Sequence, residues 1–447
     1  MAGESPSYEE LLESLRLLQA ENAHLKARLA ELEEKLREAH RQAAPFRRRE
    51  SRKKSPAQKK KPGRKPGHPG AYRQPPEGDF QEIEVPLAGC PHCQCELTDL
   101  RRREQYIEEI PAMPPERTKL TTWTGVCPQC GPVASRHPLQ TSTAVGAAGT
   151  HLGPRAQALA VLLAHRSGLT MSRVCQVLHD LCGLRLSRGG LAQLLRRAAG
   201  RLEPLHGEIL RTIRNSAAVF ADETGWYVGE PRWWLWVFTT PFATLYRVEK
   251  CRGAEVVSDT LGANFEGMLV SDCLASYNPI ACRKHKCISH HLQALKEQEE
   301  ALQKRGVKSH DLLLWKVLLG DVCETWKRRE AMGPVAYDLK VQQLSRGVEN
   351  LLGRAPPEPE ALAFHNRMAR QRQHLLGCLE EPAAEPTNNR AERDLRPAVI
   401  SRKLSCGNRT PSGAHTWEVL RSVTVTLSKQ GKDLVAALTP AFRLALP

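Results

Sequence analysis

The sequence predicts a multidomain α/β protein, and three observations carry that reading. Leucines recur at heptad spacing near the start. Two CxxC pairs follow a strongly basic segment. Beyond residue 213, apolar strands alternate with helical segments, and acidic residues stand at strand ends. A chain of 447 residues has room for several domains at ~100–200 residues each. With 41% hydrophobic and 26% charged residues, a wholly disordered chain is excluded. No stretch approaches the ~18 apolar residues of a membrane span. The acidic, Leu-rich start lacks the basic-then-apolar order of a signal peptide. The 14 cysteines therefore read as reduced thiols or metal ligands, and a cytoplasmic location without membrane contact is expected.

Residues 1–43 are expected to form a coiled-coil dimerisation helix. Leu11, Leu15, Leu18, Asn22, Leu25, Leu29, Leu32 and Leu36 alternate in spacings of four and three, the 3.5-residue period of a coiled-coil stripe. Asn22 falls at an a position, where a lone Asn favours two strands in fixed register. In a parallel pair Glu21 would face Lys26, and Arg28 would face Glu33. An amphipathic helix packed on its own chain would show the same leucines. The heptads point instead to a homodimer or higher oligomer through residues 8–38.

Residues 44–80 read as a basic disordered linker. The run "KKKPGRKPGHPG" interrupts itself with Pro and Gly too often for a helix or a core. Of the net charge of +16, residues 47–73 hold +11, from twelve Lys/Arg against Glu50 alone. Such a polycation binds polyanions without sequence preference, and nucleic acid is the commonest inside a cell. Lys59, Lys60, Lys61, Arg64 and Lys65 are the candidate DNA-backbone contacts.

Residues 81–140 read as a zinc-ribbon-like domain. Cys90-Pro-His-Cys93 and Cys127-Pro-Gln-Cys130 each offer two thiolates from one tight turn. Together they would close a tetrahedral Zn²⁺ shell with no open position, so the site would be structural. Cys95 and His92 are rival ligands. "QYIEEIP" and "KLTTWTGV", between the knuckles, read as strands. Residues 150–212 read as helices broken by glycines, with a candidate helix-turn-helix in which Ser187 caps the second helix. Ordinary helix packing fits equally well, and Arg196 and Arg197 leave DNA contact open.

The segment after residue 213 carries the chemistry. "SAAVFADE" (216–223) is an apolar strand ending in Asp222 and Glu223. Residues 232–240 and 243–250 read as two more strands, 253–262 as a helix, and 267–272 as a buried strand ending in Asp272. "KCIS" (286–289) reads as a further strand before a helix. This order is ribonuclease-H-like. In it Asp222 and Asp272 fall on adjacent strands and point at one spot. Carboxylates so close repel unless a cation neutralises them, and Mg²⁺ is the hard, oxygen-seeking ion that suits them. Two such ions, with Mn²⁺ able to substitute, serve phosphoryl transfer. The third acid is best sought in "TNNRAERDLRP" (387–397). There Asn389 reads as an N-cap with Glu392 at N3, which is also the pattern of a plain capping box. Glu223 and Asp394 are the alternative acids, and Arg393 and Arg396 are cations available to phosphate.

Taken together, "KPGRKPGHPG", "CPHCQCEL…CPQCG", "ADETGW", "SDCLASY", "KCISHHLQALKE" and "EPTNNRAERDLRP" make the sequence resemble, over nearly its whole length, a transposase of the insertion sequence sixty-six family. That is a group of DDE transposases. The resemblance implies a ribonuclease-H-like catalytic core over 213–300 and 384–447, with Asp222, Asp272 and Glu392 as its triad, and a helical insertion over 301–383. It implies cleavage of double-stranded DNA at terminal inverted repeats, transfer of the 3′-hydroxyl into target DNA, association with the nucleoid, and accessory proteins in some members. The stretch "SRKLSCGNRTPSGAHTWEVL" matches the family only loosely, and the role of Cys287, His290 and His291 is open. The alternative function is a catalytically inactive or domesticated DNA-binding regulator, which the features before residue 213 suit equally well.

Overall fold

The computed structural model describes residues 113–141 and 151–443 continuously. Before them it describes residues 19, 21–23, 25–31, 78, 81–85, 87, 92, 94–96, 101–103 and 105–108, and at 231–232 the backbone alone. Two compact units divide the chain, residues 1–114 and 115–447. In the first, residues 21–23 and 25–31 are helical, and Leu25 and Leu29 of the heptad stripe are exposed. Arg28 Nη1 donates to Glu31 at 3.1 Å, a contact one turn apart on the same helix. Most of the expected coiled coil lies outside the described residues, as do Lys59, Lys60, Lys61, Arg64, Lys65, Cys90 and Cys93.

The second unit opens with an antiparallel hairpin, β1 (Thr124–Cys127) and β2 (Gly131–Ala134). This corrects the expected strands. Residues 105–108 are not extended in a sheet, and β1 finds its partner after the second CxxC pair. The turn between Cys127 and Gly131 sends the chain straight back, with Gly131 at φ 78, a conformation that costs glycine little.

Three helices follow: α1 (Pro154–Val161, continued by a π turn at Leu162–Arg166), α2 (Met171–Cys182) and α3 (Arg188–Arg214). Ser187 does cap α3, its side chain accepting from Gly190 N at 3.0 Å. The glycines do not break α3, which runs 27 residues through Gly200, Pro204 and Gly207. Its stripe of Leu191, Leu194, Leu195, Ala198, Leu202, Ile209 and Ile213 is buried. That burial outweighs the ~1 kcal/mol each interior glycine costs. Arg196 and Arg197 face solvent.

A five-stranded mixed sheet forms the centre: β3 (Ala218–Val228), β4 (Glu230–Thr239), β5 (Thr244–Glu249), β6 (Met268–Ser271) and β7 (Arg283–Lys286), in the order β5-β4-β3-β6-β7. The first three strands are antiparallel neighbours; β6 and β7 run parallel to β3. The crossover from β5 to β6 carries helix α4 (Ala254–Leu261). The strand expected at 286–289 lies three residues earlier. Ser271 pairs with Lys286, and Cys287 already serves as the N-cap of the next helix.

Alternation along the strands gives the sheet two apolar faces. Val219, Ala221, Trp236, Phe238 and Leu269 join one core with α1–α3. Ala218, Phe220, Val237, Met268 and Val270 join the other, under helices α5 (Ile288–Lys304), α6 (His310–Arg328), α7 (Pro334–Leu352), α8 (Pro359–Gln371), α9 (Gly377–Glu380) and α10 (Asn389–Ser405). The region expected to be a helical insertion is thus helical, with Trp315 of α6 meeting Phe364 of α8 edge to face at 6.2 Å. Among the described residues, no helix is long and apolar enough to cross a membrane.

Helix α11 (Pro411–Lys429) closes the outer edge of β5. Glu418, Ser422 and Thr426, four residues apart on one helix face, accept from the backbone N–H of Val248, Tyr246 and Thr244 at 3.2, 2.9 and 3.0 Å. Those alternate N–H groups would otherwise form an open edge. Burial pushes the Glu418 carboxyl up from 4.5 to about 8. The folded chain therefore holds a proton that the unfolded chain has already released, and Glu418 draws stability down as pH rises from about 4.5 towards 8. Glu418→Gln keeps the acceptor without the charge. It is expected to raise the melting temperature at pH 8 and leave it nearly unchanged at pH 5. An equal shift at both pH values would refute this.

Candidate active site

The register of the parallel strands brings the first two acids together. Phe220 of β3 pairs with Val270 of β6. Two residues further along each strand stand Asp222 and Asp272. Asp222 lies within β3, which runs on to Val228, and Asp272 just past the end of β6; the two positions are equivalent on neighbouring strands ~4.8 Å apart, and by parity they share one face. That face is the one covered by α10, whose Ala391, Leu395 and Ala398 are buried against the same core as Phe220 and Val270. Asp222 accepts from Glu223 N at 2.9 Å, and Asp272 accepts from Leu274 N at 2.9 Å.

Glu392 belongs to the first turns of α10. The N-cap is Asn388, one residue earlier than expected, so Glu392 sits at the fourth helical position and not at N3. Asn388 makes no side-chain cap bond. The capping-box reading therefore fails, because the side chain that would cap is used elsewhere. Asn388 Nδ2 donates to the carbonyl of Ala221 at 2.8 Å, and its backbone N–H donates to Cys287 Sγ at 3.1 Å. Glu392 N donates to Asn388 O at 3.2 Å, which puts Glu392 one turn further along the same helix face.

Electrostatics show the acids acting on one another. Asp222 is held well above the ordinary carboxylate value by burial first, then by Glu223 and Asp272, with Glu392 adding to them; only the Glu223 N–H bond opposes this. His290, on the first turn of α5, is pushed up to about 9 by its contact with Cys287, against burial, with Asp272 and Glu392 contributing. Burial raises the Cys287 thiol, but His290 and the Asn388 N–H more than reverse this and leave it below its ordinary value. Behind the site, Lys286 is fully buried and donates to Ser271 Oγ at 3.1 Å. His291 faces elsewhere, towards Cys273 at 3.9 Å and Arg367 at 3.4 Å.

Both alternative acids are engaged elsewhere. Glu223 lies one residue out of phase with Asp222. It accepts from Arg252 at 2.8 Å and from Tyr277 Oη at 2.7 Å, and Arg252 stacks 4.4 Å above the Trp234 ring. Asp394 Oδ2 accepts from Thr239 at 2.6 Å, Thr244 at 2.9 Å and Lys429 at 2.6 Å, which ties α10 to β4, β5 and α11. Arg393 and Arg396 are exposed on α10. Sequence reasoning missed Asn388, although the Asn-Asn pair in "TNNRAERD" was a signal for it. Nothing in the sequence points to Arg252 or Tyr277.

Carboxylate oxygens on adjacent strands, one of them buried and raised by its neighbours, are the hard donors that divalent cations take. Among the described residues, no three His, Cys, Asp or Glu side chains already converge as a closed metal-binding group. At the hairpin, Cys130 N donates to Cys127 Sγ at 3.4 Å, and the backbone N–H groups of Cys130 and then Gln129 draw the Cys127 thiol down from its ordinary value.

Residues 149–416 match the family described as Transposase IS66 family. The chain belongs to that family. The match spans the helices α1–α3, the whole sheet with Asp222 and Asp272, and α10 with Glu392. A relative, "Uncharacterized protein y4qI" of Sinorhizobium fredii (strain NBRC 101917 / NGR234), is 25% identical over 280 residues, covering 56% of this chain and 52% of that protein. The chain thus spans about half the length of the curated relative it matches.

Proposed function

We propose that the protein is a DDE transposase with a ribonuclease-H-like core, which cleaves DNA at transposon ends and joins the freed 3′-hydroxyl to target DNA. The observation that carries this is the parallel register that sets Asp222 and Asp272 side by side, with the Glu392 helix seated over them. Asp222, Asp272 and Glu392 would hold two Mg²⁺ ions, for which Mn²⁺ can substitute. When bound, such ions polarise the attacking and leaving oxygens of a phosphodiester. Water attacks the phosphodiester at the element end, and the bond to the 3′ oxygen breaks. The new 3′-hydroxyl then attacks a target phosphodiester and displaces its 3′ oxygen. Arg393 and Arg396, exposed one to four residues beyond Glu392, would meet phosphates, and the linker cations Lys59, Lys60, Lys61, Arg64 and Lys65 would supply non-specific grip. A dimer through residues 8–38 would hold two ends in one complex, and the exposed Leu25 and Leu29 support it. The α2–α3 pair is the candidate helix-turn-helix, and accessory proteins of the same element are candidate partners.

The test uses the full chain, Mg²⁺, a duplex bearing the repeats that flank the gene with pre-cleaved 3′-hydroxyl ends, and a supercoiled target plasmid. Joined product is expected. Cleavage of intact ends without joining would indicate a plain nuclease. DNA binding with neither reaction would favour the regulator.

A structural zinc is the second part of the proposal, held by Cys90, Cys93, Cys127 and Cys130. N–H···S bonding at Cys127 readies that turn for a soft cation. About one zinc per chain is expected on elemental analysis, with loss of folded signal from this region on chelation. Metal-free protein with the hairpin intact would count against it.

A further inference from the structure

We infer that Asn388 is a positioning residue that sets the Glu392 helix against β3 beside Asp222 and against the end of β7, and so aligns Glu392 with Asp222 and Asp272; this rests on the carboxylate metal site proposed above. The β6–β7 register pairs Ser271 with Lys286, so Cys287 stands beside Asp272 at the next position. Ala221 immediately precedes Asp222. Asn388 bonds on both sides, to Ala221 O within β3 through its side chain and to Sγ of Cys287, the residue after β7, through its backbone N–H. It therefore spans the strand between them, the one that presents Asp272. Pro386 reinforces the junction, its carbonyl accepting from Ile288 N at 2.9 Å and lying 3.2 Å from His285 Nε2.

This bridge has a purpose that packing alone does not supply. Glu392 reaches the site from 120 residues beyond Asp272, after the whole helical layer. Each residue of slip in a helix turns its side chains by ~100°. An anchor four residues before Glu392, on the same face, fixes that angle. Asn388 is fully buried, and its Oδ1 has no hydrogen-bond partner. A buried amide that caps nothing and leaves its acceptor unpaired is poorly chosen for stability. It suits a donor aimed at one carbonyl beside a reacting acid.

The experiment titrates zinc-replete, full-length protein with Mn²⁺ alone, following free Mn²⁺ by electron paramagnetic resonance. Asn388→Leu keeps the branched shape and removes the donor, and Asn388→Ala is the second variant should the first not fold. Each is expected to weaken Mn²⁺ binding by ~10–100-fold, the range for residues that orient metal ligands. Leu319→Ala, fully buried in α6, serves as the destabilised control and should bind Mn²⁺ as the wild type does. Wild-type affinity in a folded Asn388 variant overturns the inference, as does an equal loss in Leu319→Ala. Glu392→Gln in the same titration keeps the two readings apart. If it binds normally, the carboxylate site itself is wrong; if it alone weakens binding, only the positioning role falls.

Discussion

Asp222→Asn and Asp272→Asn should each reduce cleavage and strand transfer by at least ~10²–10³-fold, the loss expected when one preorganised electrostatic group is removed from a reacting centre. DNA binding should stay within about twofold. The substitutions are nearly isosteric, and the bonds from Glu223 N and Leu274 N have an oxygen acceptor in either case. What is lost is the charge that draws a hard cation away from its own water. A second effect has the opposite sign. Asp222 is buried among Glu223, Asp272 and Glu392, all of which oppose its ionisation. Without divalent ions, Asp222→Asn removes one member of a repelling set, so its melting temperature should rise. Mg²⁺ should stabilise the wild type, by binding the folded form, and leave Asp222→Asn unmoved. Calorimetry with and without Mg²⁺, beside the cleavage assay, checks both signs. Equal Mg²⁺ stabilisation of both proteins would remove Asp222 from the site.

The positions of these two acids were legible because strand periodicity and parallel pairing are short-range rules. An apolar run followed by an acid marks the strand and the face, but not where the strand stops: β3 runs past Asp222 and Glu223 to Val228, because residues 223–228 go on pairing with β4. The same rules misplaced β7 by three residues. "RKHK" looks too polar for a strand, yet Lys284, His285 and Lys286 are all buried. Lys284 reaches the carbonyl of Cys282 at 3.2 Å and Lys286 reaches Ser271, so their polar ends are satisfied by partners that a linear reading does not see. Asn388 was missed for the same reason. Its partner, Ala221, lies 167 residues away. The local pattern Asn-x-x-Glu offered a nearer explanation, a cap, and that explanation was wrong by one residue. The length of α3 was misjudged because glycine and proline are local signals, whereas the buried stripe that overrides them is tertiary. Of the segment expected to form a zinc ribbon, the described residues hold Cys127 and Cys130 in one tight turn, while Cys90 and Cys93 lie outside them.

Glu392 and Asp394 offer the sharpest separation of chemistry from scaffolding, since they lie two residues apart on one helix and should respond oppositely. Glu392 lies one turn beyond Asn388 on the same helix face, and no hydrogen bond ties its carboxylate into the fold among the described residues. Glu392→Gln should therefore abolish cleavage on the same ~10²–10³-fold scale. Its stability should stay within ~0.5 kcal/mol of wild type, as for a substitution away from packing or networks. Asp394 is turned towards the junction of β4 and β5, into a largely buried ion pair with Lys429, both side chains 16% exposed. Thr239 and Thr244 donate to the same oxygen, and Tyr246 Oη donates to the Asp394 carbonyl at 2.7 Å. Asp394→Ala strands Lys429 in the interior. Removing one partner of a buried pair costs about 3–5 kcal/mol, and the residual exposure here argues for the lower end. At ~2–4 °C per kcal/mol for a domain of this size, the melting temperature should fall by roughly 6–12 °C. Cleavage per folded molecule, measured well below that temperature, should remain within about tenfold of wild type, because the Asn388 bonds to Ala221 and Cys287 are untouched. The reverse pattern, with Glu392→Gln active and Asp394→Ala folded but dead, would transfer the third metal ligand to Asp394. It would also require α10 to rotate by about 160° from the position in which Asn388 holds it, since two residues of helix turn ~200°.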